Sequence, residues 1–139
     1  MGEEWVGKEV GTVSGRRRRC GWFDSVLINY AINITQTQSL ALTKLDVLDG
    51  MDVVKICTHY QYKGKRYDYL PSNYQIQREL EPVYQEFPGW KESTAGITDY
   101  HALPENAKVY ISAVEDLVQR PVVMVSTGPR RQDTIMIDE

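Results

Sequence analysis

Apolar residues recur along this chain with two different periods, and the points where one gives way to the other divide it into elements. Residues 1–22 show neither period. Gly2, Gly7, Gly11, Gly15 and Gly21 punctuate them, and four arginines stand between the last two glycines, so the stretch reads as loop. Then Val26, Leu27, Tyr30, Ala31 and Ile34 fall at i, i+1, i+4, i+5 and i+8 behind Asp24, a good N-cap residue. That spacing predicts a helix burying this one face. Residues 40–44 are a short, mostly apolar run that feeds Lys44-Leu45-Asp46, placed at the end of a buried strand. Alternation follows: Val54, Ile56, Tyr60 and Tyr62 share a face, Lys63-Gly64-Lys65 makes a turn, and Tyr67 and Tyr69 return, which predicts a β-hairpin.

Beyond Pro71, Ser72 or Asn73 can cap a short helix reaching about Leu80, and residues 82–87 then read as extended up to Pro88-Gly89-Trp90. Leu103-Pro104 places proline at the first helical position. Ala107, Tyr110, Ile111, Val114, Leu117 and Val118 continue at helical spacing until Pro121 forbids more. Residues 121–125 are apolar and β-branched, as in a strand covered on both faces, and Ser126-Thr127-Gly128-Pro129 turns the chain toward a last strand at 134–137. The expected class is α/β, with a mixed sheet, flanking helices and a β-hairpin in a single unit: 1–22 a loop, 23–139 the α/β body.

Composition narrows the chemistry. At 139 residues, 42% hydrophobic and 25% charged, the chain has the make-up of one globular domain. Its net charge of −3 supplies no general field for a nucleic acid backbone, so any such binding would need a local patch. Cys20 and Cys57 form neither a disulfide framework nor a metal motif, which suits a reducing compartment. With no signal-peptide pattern at the start and no apolar run of membrane-spanning length, the expected location is cytoplasmic, without a membrane partner. There is no Gly-Lys-[Ser/Thr] phosphate loop, and Asp46, Asp49 and Asp52 are spaced by threes where a calcium loop alternates. His59 and His101 lack paired ligands at short spacing and read as structural.

Three segments can carry chemistry. Thr12, Val13, Ser14, Gly15, Arg16, Arg17 and Arg18 combine flexible backbone, hydroxyls and planar guanidinium forks, a set suited to carboxylates and phosphates. A solvated basic run or an RNA patch is the other reading of four arginines, though no aromatic residues are interleaved with them. Lys44, Leu45 and Asp46 offer a carboxylate able to accept both the N1–H and the exocyclic amine of guanine, with a lysine stem to lie along the base. A surface ion pair is the bland reading of the same residues. Ser126, Thr127 and Gly128 leave a buried strand through small polar residues that could present backbone groups to a base, or simply make a turn.

Taken together and in order, several stretches resemble adenylosuccinate synthetase. They are Gly15-Arg16-Arg17-Arg18-Arg19-Cys20-Gly21-Trp22-Phe23-Asp24, Leu42-Thr43-Lys44-Leu45-Asp46-Val47-Leu48-Asp49-Gly50, Pro88-Gly89-Trp90, Leu103-Pro104-Glu105-Asn106-Ala107 and Ser126-Thr127-Gly128-Pro129. The resemblance implies the C-terminal part of a larger P-loop-like, GTP-dependent ligase that joins L-aspartate to inosine monophosphate in purine synthesis, through a phosphorylated 6-oxygen and with magnesium. It implies further that residues 12–18 close on aspartate, with Arg16 on its carboxylate and Arg18 toward GTP, and that Lys44, Leu45, Asp46, Ser126, Thr127 and Gly128 hold guanine. The phosphate loop, the catalytic base and the Mg2+ ligands are then expected outside this chain, which alone is expected to be inactive. The enzyme is expected to be a homodimer. The other reading is a stand-alone purine-nucleotide or RNA-binding module without catalysis. Two departures from the family pattern stand out: Val13 replaces a usual threonine, and Arg130 and Arg131 bring charge to the rim of the guanine pocket.

Overall fold

The computed structural model of the chain describes residues 9–10, 17–18 and 22–137. In chain order the strands are β1 (Glu9–Val10), β2 (Arg17–Arg18), β3 (Phe23–Asp24), β4 (Leu40–Leu42), β5 (Val53–Tyr62), β6 (Lys65–Tyr67), β7 (Glu81–Pro88), β8 (Val122–Ser126) and β9 (Thr134–Met136). The helices are α1 (Ser25–Thr35), α2 (Tyr74–Glu79) and α3 (Glu105–Val118), and 3-10 turns occupy Leu45–Leu48 and Tyr100–Ala102. β1 and β2 pair antiparallel with Glu9 opposite Arg18.

The mixed α/β class is as expected, but the strands divide between two larger sheets. In one, β5 pairs parallel with β3 and antiparallel with both β6 and β7. In the other, β8 pairs parallel with β4 and antiparallel with β9. α3 lies on both, because Ala107, Tyr110, Ile111, Val114 and Val118 form a stripe at helical spacing that is buried throughout. Val54 and Ile56 from β5, and Val122 and Val125 from β8, meet that stripe in a single core with Trp90, whose ring lies 6.0 Å from that of Tyr110.

Several sequence expectations are corrected by this packing. α1 does start at the Asp24 cap, whose Oδ1 accepts the N–H groups of Val26 at 2.9 Å and Leu27 at 3.1 Å. Yet only Val26 of the expected face is buried. Leu27, Tyr30 and Ile34 are 46%, 54% and 63% exposed, and the helix seats itself through Val26 and Ile32, with the Asn29 amide donating to the Leu117 carbonyl at 3.2 Å. α1 carries two apolar arcs, and periodicity alone cannot say which one the sheet will cover. Pro104 caps α3 instead of opening it; its ψ of 147° is extended, so Glu105 becomes the first helical residue. Along β5 the alternation breaks at a register shift between Cys57 and His59, which explains why Val54 and Ile56 are buried while Tyr60 and Tyr62 are only partly covered.

Candidate functional site

β4 ends at Leu42, two residues earlier than the Lys44-Leu45-Asp46 segment was placed, and these residues instead open the first 3-10 turn. Lys44 adopts φ 61°, ψ 43°. This left-handed conformation costs a residue with a side chain about 1–2 kcal/mol per position. Three other such residues have local reasons for it: Gln36 and Gln119 close α1 and α3, and Lys63 forms the hairpin turn. Lys44 is held from a distance, its N–H donating to Ser126 Oγ of β8 at 2.8 Å. The i, i+3 pair Leu45 and Leu48 anchors the turn in the core, leaving Asp46 on its other side.

Asp46 is the unusual group. Its Oδ1 is sealed from solvent and has no hydrogen-bond partner among the described residues. Burial raises its pKa above the ordinary carboxylate value, and the nearby charges of Asp49 and Asp133 add to the rise, against a backbone hydrogen bond and Lys44. An unmet buried acceptor costs about 1–3 kcal/mol.

Facing Lys44 is the segment 126–128. Thr127 is fully buried and fully engaged: its N–H donates to the Asp133 carbonyl at 2.9 Å, its hydroxyl to the Ile97 carbonyl at 2.8 Å, and its own carbonyl accepts Gly96 N–H at 3.1 Å. Asp133, 3% exposed, accepts the Arg130 N–H and Nε–H at 3.1 Å and Nη2–H at 3.0 Å, and this pairing holds its carboxyl below the usual range. The Arg130 guanidinium is therefore matched by a carboxylate and does not stand as a free charge at the rim. A Cβ on Gly128 would lie 2.5 Å from Asp133 Oδ2, so a side chain here would have to displace that carboxylate. The concave surface beside the turn, lined by Trp22, Leu42, Thr43, Lys44, Leu45 and Tyr110, encloses about 170 Å³. That is smaller than the roughly 300 Å³ from which ligand pockets usually begin, and Asp46, Ser126 and Gly128 are not among its lining.

Thr12, Val13, Ser14, Gly15 and Arg16 lie outside the described residues, and Arg17 and Arg18 are placed only through the backbone of β2. Among the described residues no group of three or more His, Cys, Asp and Glu side chains is arranged to hold a metal ion. Burial pushes the Cys57 thiol up to about 11, far from a reactive thiolate at neutral pH. Sequence reasoning missed Asp49, Thr94 and Asp133. Only Asp133 carried a signal, its i, i+3 spacing from Arg130, while Thr94 had none.

Mixed parallel and antiparallel sheets joined by a polar strand-end turn define an α/β protein whose distinctive chemistry is concentrated around Asp46. The family model for adenylosuccinate synthetase matches residues 4–135. The chain is 53% identical over 134 residues to an adenylosuccinate synthetase of Wolbachia sp. subsp. Drosophila simulans, and 50% identical over 133 residues to one of Ehrlichia ruminantium. Each match covers 96% of this chain and about a third of the relative, 32% and 31% respectively. The fully ligated adenylosuccinate synthetase of Plasmodium falciparum superposes with a TM-score of 0.88 at 37% identity, over 94% of this chain and 32% of that one. This chain belongs to the adenylosuccinate synthetase family and spans about a third of the length of the relatives it matches.

Proposed function

We propose that the chain is the GTP- and substrate-recognising portion of a cytoplasmic enzyme that joins L-aspartate to inosine monophosphate at the expense of GTP. The observation that carries this reading is the partly buried Asp46 carboxylate, whose Oδ1 has no donor among the described residues. Guanine presents two parallel donors, N1–H and the exocyclic amine, and a carboxylate is the side chain that accepts both. Adenine lacks that pair. Lys44 and Leu45 then flank the base, while Ser126 and Gly128 offer it polar groups; Thr127, whose own groups are already engaged, supports them from behind.

Thr12, Val13, Ser14, Gly15, Arg16, Arg17 and Arg18 form the aspartate-closing loop in this reading, Arg16 taking the carboxylate with its bidentate fork and Arg18 reaching toward GTP. Mg2+ ligands and the groups that transfer the phosphoryl lie elsewhere in the homodimeric enzyme. A stand-alone nucleotide- or RNA-binding module finds no support in the net charge of −3.

Asp46→Asn in the full-length enzyme tests the assignment. Asparagine still accepts N1–H but sets an amide donor against the guanine amine, so the KM for GTP should rise at least tenfold, on the order of 1–3 kcal/mol, while the KM for aspartate holds. Xanthosine triphosphate, with a carbonyl in place of that amine, should become a better substrate for the variant than for the parent. Steady-state kinetics with both nucleotides decides; an unaltered preference removes the guanine role.

A further inference from the structure

The segments carrying Asp46 and Gly128 are joined by a second route besides the contact of Lys44 with Ser126. Asp49, which closes the first 3-10 turn, directs its carboxylate inward. Oδ1 accepts Trp90 Nε1–H at 2.8 Å and the Thr94 hydroxyl at 2.7 Å, and Oδ2 accepts the Thr94 N–H at 2.7 Å. Trp90 and Thr94 are 1% and 0% exposed. From Thr94 the linkage continues through the turn it begins: Ile97 N–H donates to the Thr94 carbonyl at 3.1 Å, Gly96 N–H to the Thr127 carbonyl at 3.1 Å, and the Thr127 hydroxyl to the Ile97 carbonyl at 2.8 Å. A continuous hydrogen-bonded series thus runs from the turn bearing Asp46 to the residue preceding Gly128.

Core packing sets the distance between two segments only approximately, whereas recognition of the edge of a planar base requires placement within about 0.5 Å. A charged acceptor with three short, buried donors is the kind of group that can hold such a distance. We propose that Asp49 is a positioning residue for guanine recognition: through Thr94 it fixes the 127–128 wall relative to Asp46 without touching the nucleotide. This rests on the guanine reading above. Asparagine at position 49 has the same size and its Oδ1 can still serve Trp90 and the Thr94 hydroxyl, but its amide faces the Thr94 N–H, donor against donor. The disturbance is thereby directed into the turn that supports Thr127.

The test is steady-state kinetics for GTP, inosine monophosphate and aspartate on the full-length enzyme carrying Asp49→Asn, Thr94→Val, Thr94→Ser or Asp46→Asn. Asp49→Asn should raise the KM for GTP about tenfold while kcat and the other two KM values stay within about twofold. Unlike Asp46→Asn, it should bring no gain with xanthosine triphosphate. Thr94→Val, which removes only the hydroxyl, should raise the KM for GTP about fivefold, and Thr94→Ser should restore the parent value. An equal rise in all three KM values, or a lowered Tm with an unchanged KM for GTP, reduces Asp49 to a structural role and overturns the proposal. Should Asp49→Asn not yield soluble enzyme, the threonine pair decides, and identical KM values for valine and serine overturn it. Asp46→Asn separates the two ideas. If it leaves nucleotide preference unchanged, the guanine reading falls and this inference with it; if it shifts preference while Asp49→Asn and Thr94→Val are silent, this inference alone falls.

Discussion

Around β5 the backbone follows one long ladder, from Val53 opposite Pro88 to Gln61 opposite Glu81, and the polar side chains of β5 and β7 point largely to solvent. Around β8 the ladders are short, and buried polar groups gather at one end: Thr94, Thr127 and Asp133, with the Asp46 oxygen that has no partner among the described residues beside them. The left-handed Lys44 is there too. A region that stores backbone strain and unmet hydrogen-bonding capacity is less stable than it could be, and such costs persist where the chemistry of a ligand recovers them. On the proposed guanine reading, the β5 sheet is scaffold and the β8 end carries the recognition.

The sharpest way to break that division is to damage the scaffold alone. Ile56→Ala empties a fully buried position of β5 and should cost about 2–5 kcal/mol in chemical denaturation, while the KM for GTP of the folded enzyme stays within about twofold. A large KM change would mean that the two regions are not separable. Gly128→Ala makes the opposite cut. Its Cβ would press on the Asp133 carboxylate and disturb its hydrogen bonds to Arg130, so stability should fall by about 1–3 kcal/mol. Here the KM for GTP should rise as well, with that for aspartate unaffected, and a purely thermal effect would remove Gly128 from the site. The smallest effect is expected at the start of α1, where Asp24 both caps the helix and accepts the Tyr60 hydroxyl. Asp24→Ala should lower stability by about 0.5–2 kcal/mol with nucleotide kinetics unchanged, which denaturation curves and a GTP titration together would show.

Much of the fold was legible because it depends on short-range rules. The Asp24 and Asn73 caps, the turn at Lys63-Gly64-Lys65 and the long stripe of α3 all follow from side chains acting within a few residues of themselves. The candidate site was legible only in part. Asp46 and Ser126 could be named from the residues, whereas Asp49 and Thr94 could not, since each acquires its role from a partner in another element; Asp133 offered only its i, i+3 spacing from Arg130. Asp49 even drew notice for the wrong reason, as part of a string of aspartates with calcium-like composition. Its carboxylate turned out to be occupied by Trp90 and Thr94, more than 40 positions along the chain.

By itself, then, the sequence determined most of the segments that become helix or strand, several of their caps and turns, and which residue types are present for binding an anion or a purine. Only the tertiary structure decided which of two apolar arcs α1 buries, that the strands form two larger sheets, and that Lys44 is held left-handed by a hydroxyl 82 residues away. The physical reason is range. Caps, turns and periodicity act over one or two turns of backbone, whereas burial and hydrogen-bond matching are settled by whatever surface the rest of the chain brings alongside.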